Sequence, residues 1–188
     1  MKNEIRIIGG QWKRTKLKVP DKPGLRPTPD RVRETLFNWL GQDLTGWRCM
    51  DAFAGTGALG LEAASRGAAQ VLLVEQDSQL VQALQNTVNH LKAGTVNVHR
   101  GDGIAALKQQ TANSYDLVLL DPPFDANLFQ QALQSCAPLL SSTGRVYLEA
   151  PTQWTDEQLE PYRLSVYRHL KAGTVHAHLL QPISETQP

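Results

Sequence analysis

The sequence predicts an α/β fold: a mainly parallel sheet with helices on both faces, an antiparallel hairpin at its C-terminal end and a small N-terminal β-hairpin. Three observations predict it. From Trp47 onward, short apolar runs alternate with helical patterns, which implies right-handed crossovers between parallel strands. Each run is apolar except at its C-terminal boundary, as expected of strands covered on both faces. The last two runs flank Lys171-Ala172-Gly173, which reads as a tight antiparallel turn.

The elements follow in order. EIRIIGG and KLKVP read as two short strands of a hairpin. Thr28 is placed to cap a helix whose first residue is Pro29, with Val32, Leu36, Trp39 and Leu40 at helical spacing and Gly41 as the stop. Five strands are expected at 47–53, 69–76, 95–100, 115–121 and 144–150, and the hairpin at 163–170 and 174–181. The helices fall at 58–66, 78–92, 103–110 and 127–140; Asp77 or Ser78 caps the second of these, whose Val81, Leu84, Val88 and Leu91 share a face.

The chain has 188 residues, 41% hydrophobic and 20% charged, enough for one sizeable core and unlike a disordered chain or a disulfide-stapled miniprotein. No apolar run approaches the ~20 residues of a membrane helix. The first residues carry no apolar signal core, so a cytoplasmic protein is expected, its two cysteines, Cys49 and Cys136, reduced. The net charge of +1 hides an asymmetry. Residues 1–48 hold eleven Lys or Arg against five Asp or Glu, a net +6, whereas residues 49–188 carry −5. A basic front on an acidic body points to an anionic partner such as nucleic acid. Two parts are expected: residues 1–28 as a basic hairpin and loop facing the anionic partner, and residues 29–188 as the α/β body.

Four acids fall at consecutive strand ends: Asp51, Glu75, Asp102 and Asp121. In an open parallel sheet these ends share one edge, where ligands bind at the switch point. Asp51 opens Asp51-Ala52-Phe53-Ala54-Gly55-Thr56-Gly57-Ala58-Leu59-Gly60, in which Gly55, Gly57 and Gly60 satisfy G-x-G-x-x-G, a turn that lets backbone approach a ligand. Glu75 follows Gly55 by twenty positions, where a carboxylate accepts ribose hydroxyls. The pair suggests an adenosine-containing cofactor. Asp121-Pro122-Pro123-Phe124 adds a carboxylate beside carbonyls without amide donors, and an aromatic face. Such a pocket suits the exocyclic amine of a base, stacked on Phe124.

Together, D-x-F-x-G-x-G at Asp51–Gly57, Glu75, Gly101-Asp102 and D-P-P-F at Asp121–Phe124 resemble class I S-adenosylmethionine-dependent methyltransferases acting on exocyclic amines. The front segments IRIIGGQWKRTKL and LRPTPDRVRETLFNWL sharpen this to the RsmD family of bacterial 16S rRNA guanine methyltransferases, a resemblance that covers almost the whole chain. It implies a Rossmann-like fold with a seven-stranded sheet and methyl transfer from S-adenosylmethionine to one guanine of 16S ribosomal RNA, giving 2-methylguanine. Asp51, Phe53, Ala54, Gly55, Thr56, Gly57 and Gly60 would cradle the cofactor. Glu75 would hold its ribose, with Gln76 beside the adenine, and Asp102 would accept the adenine amine, with Gly103 permitting close approach. Asp121, Pro122, Pro123 and Phe124 would grip the guanine, Asp121 also facing the cofactor. Arg6, Lys13, Arg14, Lys16 and Lys18 would track RNA phosphates, and some of Arg26, Thr28, Arg31 and Arg33 would border the nucleotide or cofactor, Arg33 being equally placed to pair with an acid of the body. A monomer is expected, acting on 16S ribosomal RNA in a 30S subunit or an assembly intermediate, with no membrane involved.

Competing readings are weaker. An exocyclic amine of adenine or cytosine, in DNA or another RNA, would satisfy the same pocket. A nicotinamide oxidoreductase fits the glycines but gives D-P-P-F no role, and a non-catalytic RNA-binding module leaves the intact acids unexplained. Cys49 and Cys136 read as core residues rather than nucleophiles. His169, His176 and His178 read as surface polar residues of the hairpin rather than a metal site. Trp12 reads as packing the arm onto the body.

Overall fold

A computed structural model describes residues 4–25, 27–124 and 128–183. Seven strands form one sheet in the order β5-β4-β3-β6-β7-β9-β8. They are β3 (Arg48–Asp51), β4 (Gln70–Glu75), β5 (Val96–Arg100), β6 (Tyr115–Leu120), β7 (Leu140–Ala150), β8 (Leu164–Ala172) and β9 (Val175–Pro182). The first five pair in parallel, and β9 pairs antiparallel with both β7 and β8. This is the expected seven-stranded, Rossmann-like architecture. β1 (Glu4–Arg6) and β2 (Lys16–Lys18) form the separate N-terminal hairpin.

The alternation of side chains along each strand sorts the core into two layers. On one face, Cys49, Val71, Leu73, Leu117, Leu119 and Tyr147 pack under the helices α1 (Asp30–Leu40), α2 (Ala58–Ser65) and α3 (Ser78–Leu91) and under Ile5, Ile7 and Leu17 of the arm. On the other, Met50, Val74, Val118, Leu120, Val146 and Leu148 pack against α4 (Gly103–Lys108), α5 (Phe129–Cys136) and α6 (Asp156–Leu159). Covered on both faces, the strands have no solvent side on which to place polar residues, which is why they read as apolar runs.

Several boundaries differ from expectation. α1 starts at Asp30, and its cap position is Pro29, with no side-chain cap bond; Thr28 does not cap it, because its hydroxyl is bonded elsewhere. The helix expected over 127–140 is observed from Phe129 to Cys136 and continues as a 3-10 turn to Leu139; residue 127 lies outside the described residues. β7 begins at Leu140, four residues early, because Ser141-Ser142-Thr143-Gly144 extends along β6 through a register shift between Tyr115 and Leu117 rather than turning. α6 is short and was not expected; Thr155 and Gln158 form its capping box.

The histidines correct another expectation. His178 is fully buried, not a surface residue. Its Nε2 accepts the Trp154 N–H at 3.0 Å and its Nδ1 lies 3.2 Å from the Leu148 carbonyl, so the neutral ring carries its proton on Nδ1. Burial foremost lowers its pKa to about 4, while His169 and His176 pack beside it. The unfolded chain takes up this proton near the ordinary histidine value and the native protein does not. The contribution of His178 to stability is therefore full above about pH 6.5 and is lost as pH drops toward 4, by about 3 kcal/mol. Denaturant titrations at pH 7 and pH 4.5 check this, and His178→Gln is expected to flatten that part of the curve.

Candidate active site and nucleic-acid face

The residue parity that sorts the core also sorts the acids. Asp51 continues the row of Cys49, Glu75 that of Val71 and Leu73, Asp121 that of Leu117 and Leu119, and Glu149 that of Tyr147. Four carboxyls thus meet at the C-terminal edge of four neighbouring strands, on the face covered by α1, α2 and the arm. The edge spans β3 and β6, where the strand order reverses.

Asp51 is 2% exposed, and its Oδ2 accepts the Gly60 N–H at 3.1 Å, which ties β3 to α2. Burial pushes its carboxyl up to about 7, the Gly60 and Phe53 amides pull it down, and Glu75 pushes it further up. Glu75 bridges the turn: Oε2 accepts the Gly55 N–H at 2.9 Å and Oε1 the Asp77 N–H at 2.8 Å. Gly55 and Gly57 both have positive φ, at 52° and 78°. A Cβ on Gly57 would also press on Leu61 and Leu84. Asp102 is exposed and caps α4, accepting the Ala105 N–H at 2.8 Å. Ala54, half-buried Thr56 and exposed Gln76 lie on the same rim.

These donors and acceptors fit an adenosine-type ligand. A half-buried carboxylate meets a turn of backbone amides, and Gly103 lets the start of α4 pack against the segment after β3, where a Cβ would collide with the Ala52 carbonyl and the Phe53 ring. Gly103→Ala is expected to cost about 1–3 kcal/mol of stability and to weaken cofactor binding about tenfold, read by thermal melts and calorimetry.

The other half of the cleft is Asp121–Phe124. Pro122 is buried, and Phe124 is 41% exposed. Phe124 begins an aromatic row the sequence reading missed: Phe129 at 6.2 Å and Trp154 at 6.4 Å from Phe129. Burial foremost, then the charges of Glu149 and Asp51, hold the Asp121 carboxyl well above the usual range. Glu149 also escaped the sequence reading, although GRVYLEA carries an acid at a strand end as the other strands do. It is 6% exposed and accepts hydroxyl hydrogen bonds from Tyr147 at 2.9 Å and Thr28 at 3.1 Å.

The segment between β2 and α1 runs along this edge. Lys22 pairs with Asp77 after β4, a Leu25 methyl lies 3.5 Å from where a Gly55 Cβ would stand, and Thr28 reaches Glu149 on β7. Thr28 is therefore a buried structural donor rather than a surface contact to RNA. Arg33 also needs correction. It is fully buried, its guanidinium contacting Asp30 at 2.6 Å, Glu62 at 3.4 Å and the carbonyls of Arg6 and Thr28, so it has no surface to offer RNA. Arg26 lies outside the described residues.

The hairpin bearing the remaining cations is firmly docked. Glu62, fully buried in α2, accepts the N–H groups of Ile8 and Gly9 and pairs with Arg33 and Arg66. Ser65 bonds the Gly9 carbonyl and the Trp12 amide. Trp12 packs against the core, as expected. With Ile5 and Leu17 turned inward, Arg6, Lys16 and Lys18 face outward, and Lys13, Arg14 and Arg31 are exposed. Glu4 offsets part of that charge, pairing with Lys16 at 3.0 Å.

Comparisons with known proteins agree with this geometry. The family model described as Conserved hypothetical protein 95 matches residues 5–181. The chain is 42% identical over 180 residues to the ribosomal RNA small subunit methyltransferase D of Escherichia coli, covering 95% of this chain and 90% of that protein. The protein of the same name from Haemophilus influenzae is 37% identical over 185 residues, 96% of this chain and 95% of that one. Among solved structures, the putative methyltransferase yhhF of Escherichia coli matches with a TM-score of 0.81 at 38% identity, covering 96% of this chain and 98% of that chain.

Proposed function

The chain belongs to the RsmD family of small-subunit ribosomal RNA methyltransferases, and from that premise we propose that it methylates the exocyclic amine of a guanine in 16S ribosomal RNA, using S-adenosylmethionine. The observation that carries this reading is the meeting of Asp121-Pro122-Pro123-Phe124 with the glycine turn and Glu75 at one sheet edge, beside a docked hairpin with an outward basic face.

Asp51 holds the glycine turn through Gly60, and Phe53, Ala54, Gly55, Thr56 and Gly57 shape the cradle for the amino-acid end of the cofactor. Glu75 would hold the ribose hydroxyls. Gln76 would lie beside the adenine, and Asp102 would accept its amine, with Gly103 permitting close approach. S-adenosylmethionine supplies a methyl group made electrophilic by the positive sulfur. The chain supplies position. Asp121 and the Pro122 carbonyl accept the two N–H groups of the guanine amine, Pro123 keeps the loop rigid, and Phe124 stacks on the base. Holding the amine nitrogen in line with the methyl carbon contributes most of the acceleration. Asp121 then takes the proton the amine sheds.

The target base leaves its stack to enter the cleft. Arg6, Lys13, Arg14, Lys16, Lys18 and Arg31 engage the phosphates around it. The chain works as a monomer in the cytoplasm, on a 30S subunit or an assembly intermediate. Label transfer from S-adenosylmethionine tests the reading, with 30S subunits and free 16S RNA from cells lacking the family enzyme. Label in the RNA is the expected result, and the better substrate identifies the assembly stage. Intact cofactor binding with no label in either RNA would sink it.

A further inference from the structure

We propose that Glu149 is a positioning residue for methyl transfer: clamped by the Thr28 and Tyr147 hydroxyls, it sets the Asp121 carboxyl against the target amine and shares the proton that Asp121 receives. The inference rests on the role given to Asp121 above. Its basis is geometric. β6 and β7 pair in parallel with Leu120 opposite Leu148, so the next residues, Asp121 and Glu149, stand side by side at the same edge. Both follow inward-facing residues of the same layer, Leu119 and Tyr147.

The clamp is unusual for a strand-end acid. One oxygen, Oε2, accepts both hydroxyls, one from its own strand and one from a segment 121 residues away in the chain. Burial raises the Glu149 carboxyl above its ordinary value, and the two donors pull it back down and hold it in one rotamer. Two carboxyls at one edge resist ionising together, so a charge on either makes the next ionisation harder. The surrounding groups act in the same sense or are engaged elsewhere. Asp51 on β3 repels Asp121 and is itself repelled by Glu75. The Tyr147 phenol is pushed up by burial and by Glu149. Arg33, from α1, reaches the Thr28 carbonyl but spends its charge on Glu62 and Asp30.

The proton balance is then closed. The nitrogen lone pair forms the bond to the methyl carbon as that carbon's bond to sulfur breaks, the electron pair staying on sulfur. The nitrogen, now cationic, gives one proton to the Asp121–Glu149 pair, which releases it to water with the product. Because Glu149 raises the basicity of Asp121, the pair binds that proton more tightly than a lone carboxylate would.

The test compares Glu149→Gln with the wild type in two ways. Carbon-13 NMR of the carboxyl groups in the cofactor-free protein reads the titration of Asp121, and the pH dependence of kcat reads its use. Glu149→Gln is expected to move the Asp121 titration and the acidic limb of the profile about one unit or more toward lower pH, and to lower kcat about tenfold with little change in KM for S-adenosylmethionine. Should Glu149→Gln fail to fold, Tyr147→Phe removes one clamp donor only, and Thr28→Ser against Thr28→Val does the same from the other side; kcat is expected to fall in Tyr147→Phe and Thr28→Val and to survive in Thr28→Ser. An unshifted Asp121 titration together with an unshifted profile, in a folded variant, overturns the proposal. A wild type that methylates no RNA overturns the role of Asp121 instead, and the NMR titration still reports whether the two carboxyls are paired.

Discussion

Asp121→Ala is expected to abolish methyl transfer, by about 10³-fold or more, in a protein that stays folded and becomes more stable toward neutral pH. The kinetic part follows from position: Asp121 is the acceptor that orients the amine, and with it gone only the Pro122 carbonyl and the Phe124 face remain. The stability part follows from charge. Burial and the neighbouring Glu149 and Asp51 raise the folded-state pKa of Asp121. A carboxyl whose native pKa is raised costs stability once pH exceeds its unfolded value of about 4, and the cost grows until the native pKa is reached. Removing it removes that cost, so the melting temperature of the variant rises relative to wild type between pH 4 and pH 7. Equal melting temperatures across that range would contradict the buried carboxyl pair. Near-normal transfer would contradict the role of the residue.

The second large effect is on structure. Glu62→Ala is expected to destabilise the protein by about 3–5 kcal/mol, because it strands the Arg33 and Arg66 guanidiniums without their shared partner in a buried site. Glu62 also accepts the Ile8 and Gly9 amides, so the same change frees the basic hairpin from α2. Limited proteolysis is expected to cut the arm of the variant near residues 8–14 while the wild type resists, and RNA binding is expected to weaken even where the body survives. A loss below about 1 kcal/mol would mean that water or another acid replaces Glu62, contrary to its complete burial.

These two residues mark the limit of what the sequence discloses. The parallel core was legible because strands buried on both faces leave apolar runs, and the glycine turn because positive φ at Gly55 and Gly57 favours that residue type. The acids at strand ends were legible because each interrupts an apolar run. Asp121-Pro122-Pro123-Phe124 followed for the same reason. Glu62, Arg33 and Thr28 were not, because the partners that tie them to other elements lie 29 to 121 residues away and periodicity says nothing about such pairs. Arg33 looks like any cation of a basic front end until α2 supplies a buried carboxylate. One signal was present all the same. Glu62 is the lone charge in ALGLEAAS, a helix buried along its whole length, and a charge there needs a buried partner. Glu149 carried a similar mark at the end of β7. His178 was misread because its neutral, doubly hydrogen-bonded ring depends on the Trp154 amide, which only the folded loop brings to it.

The central claim is that this sheet edge methylates an exocyclic amine of guanine, and the most direct measurement is the identity of the labelled nucleoside. After transfer from labelled S-adenosylmethionine, the 16S RNA is digested and its nucleosides separated by chromatography with mass detection. All label in 2-methylguanosine is the predicted result, absent with Asp121→Ala. Label on a ring nitrogen of guanine, or in adenosine or cytidine, would contradict it.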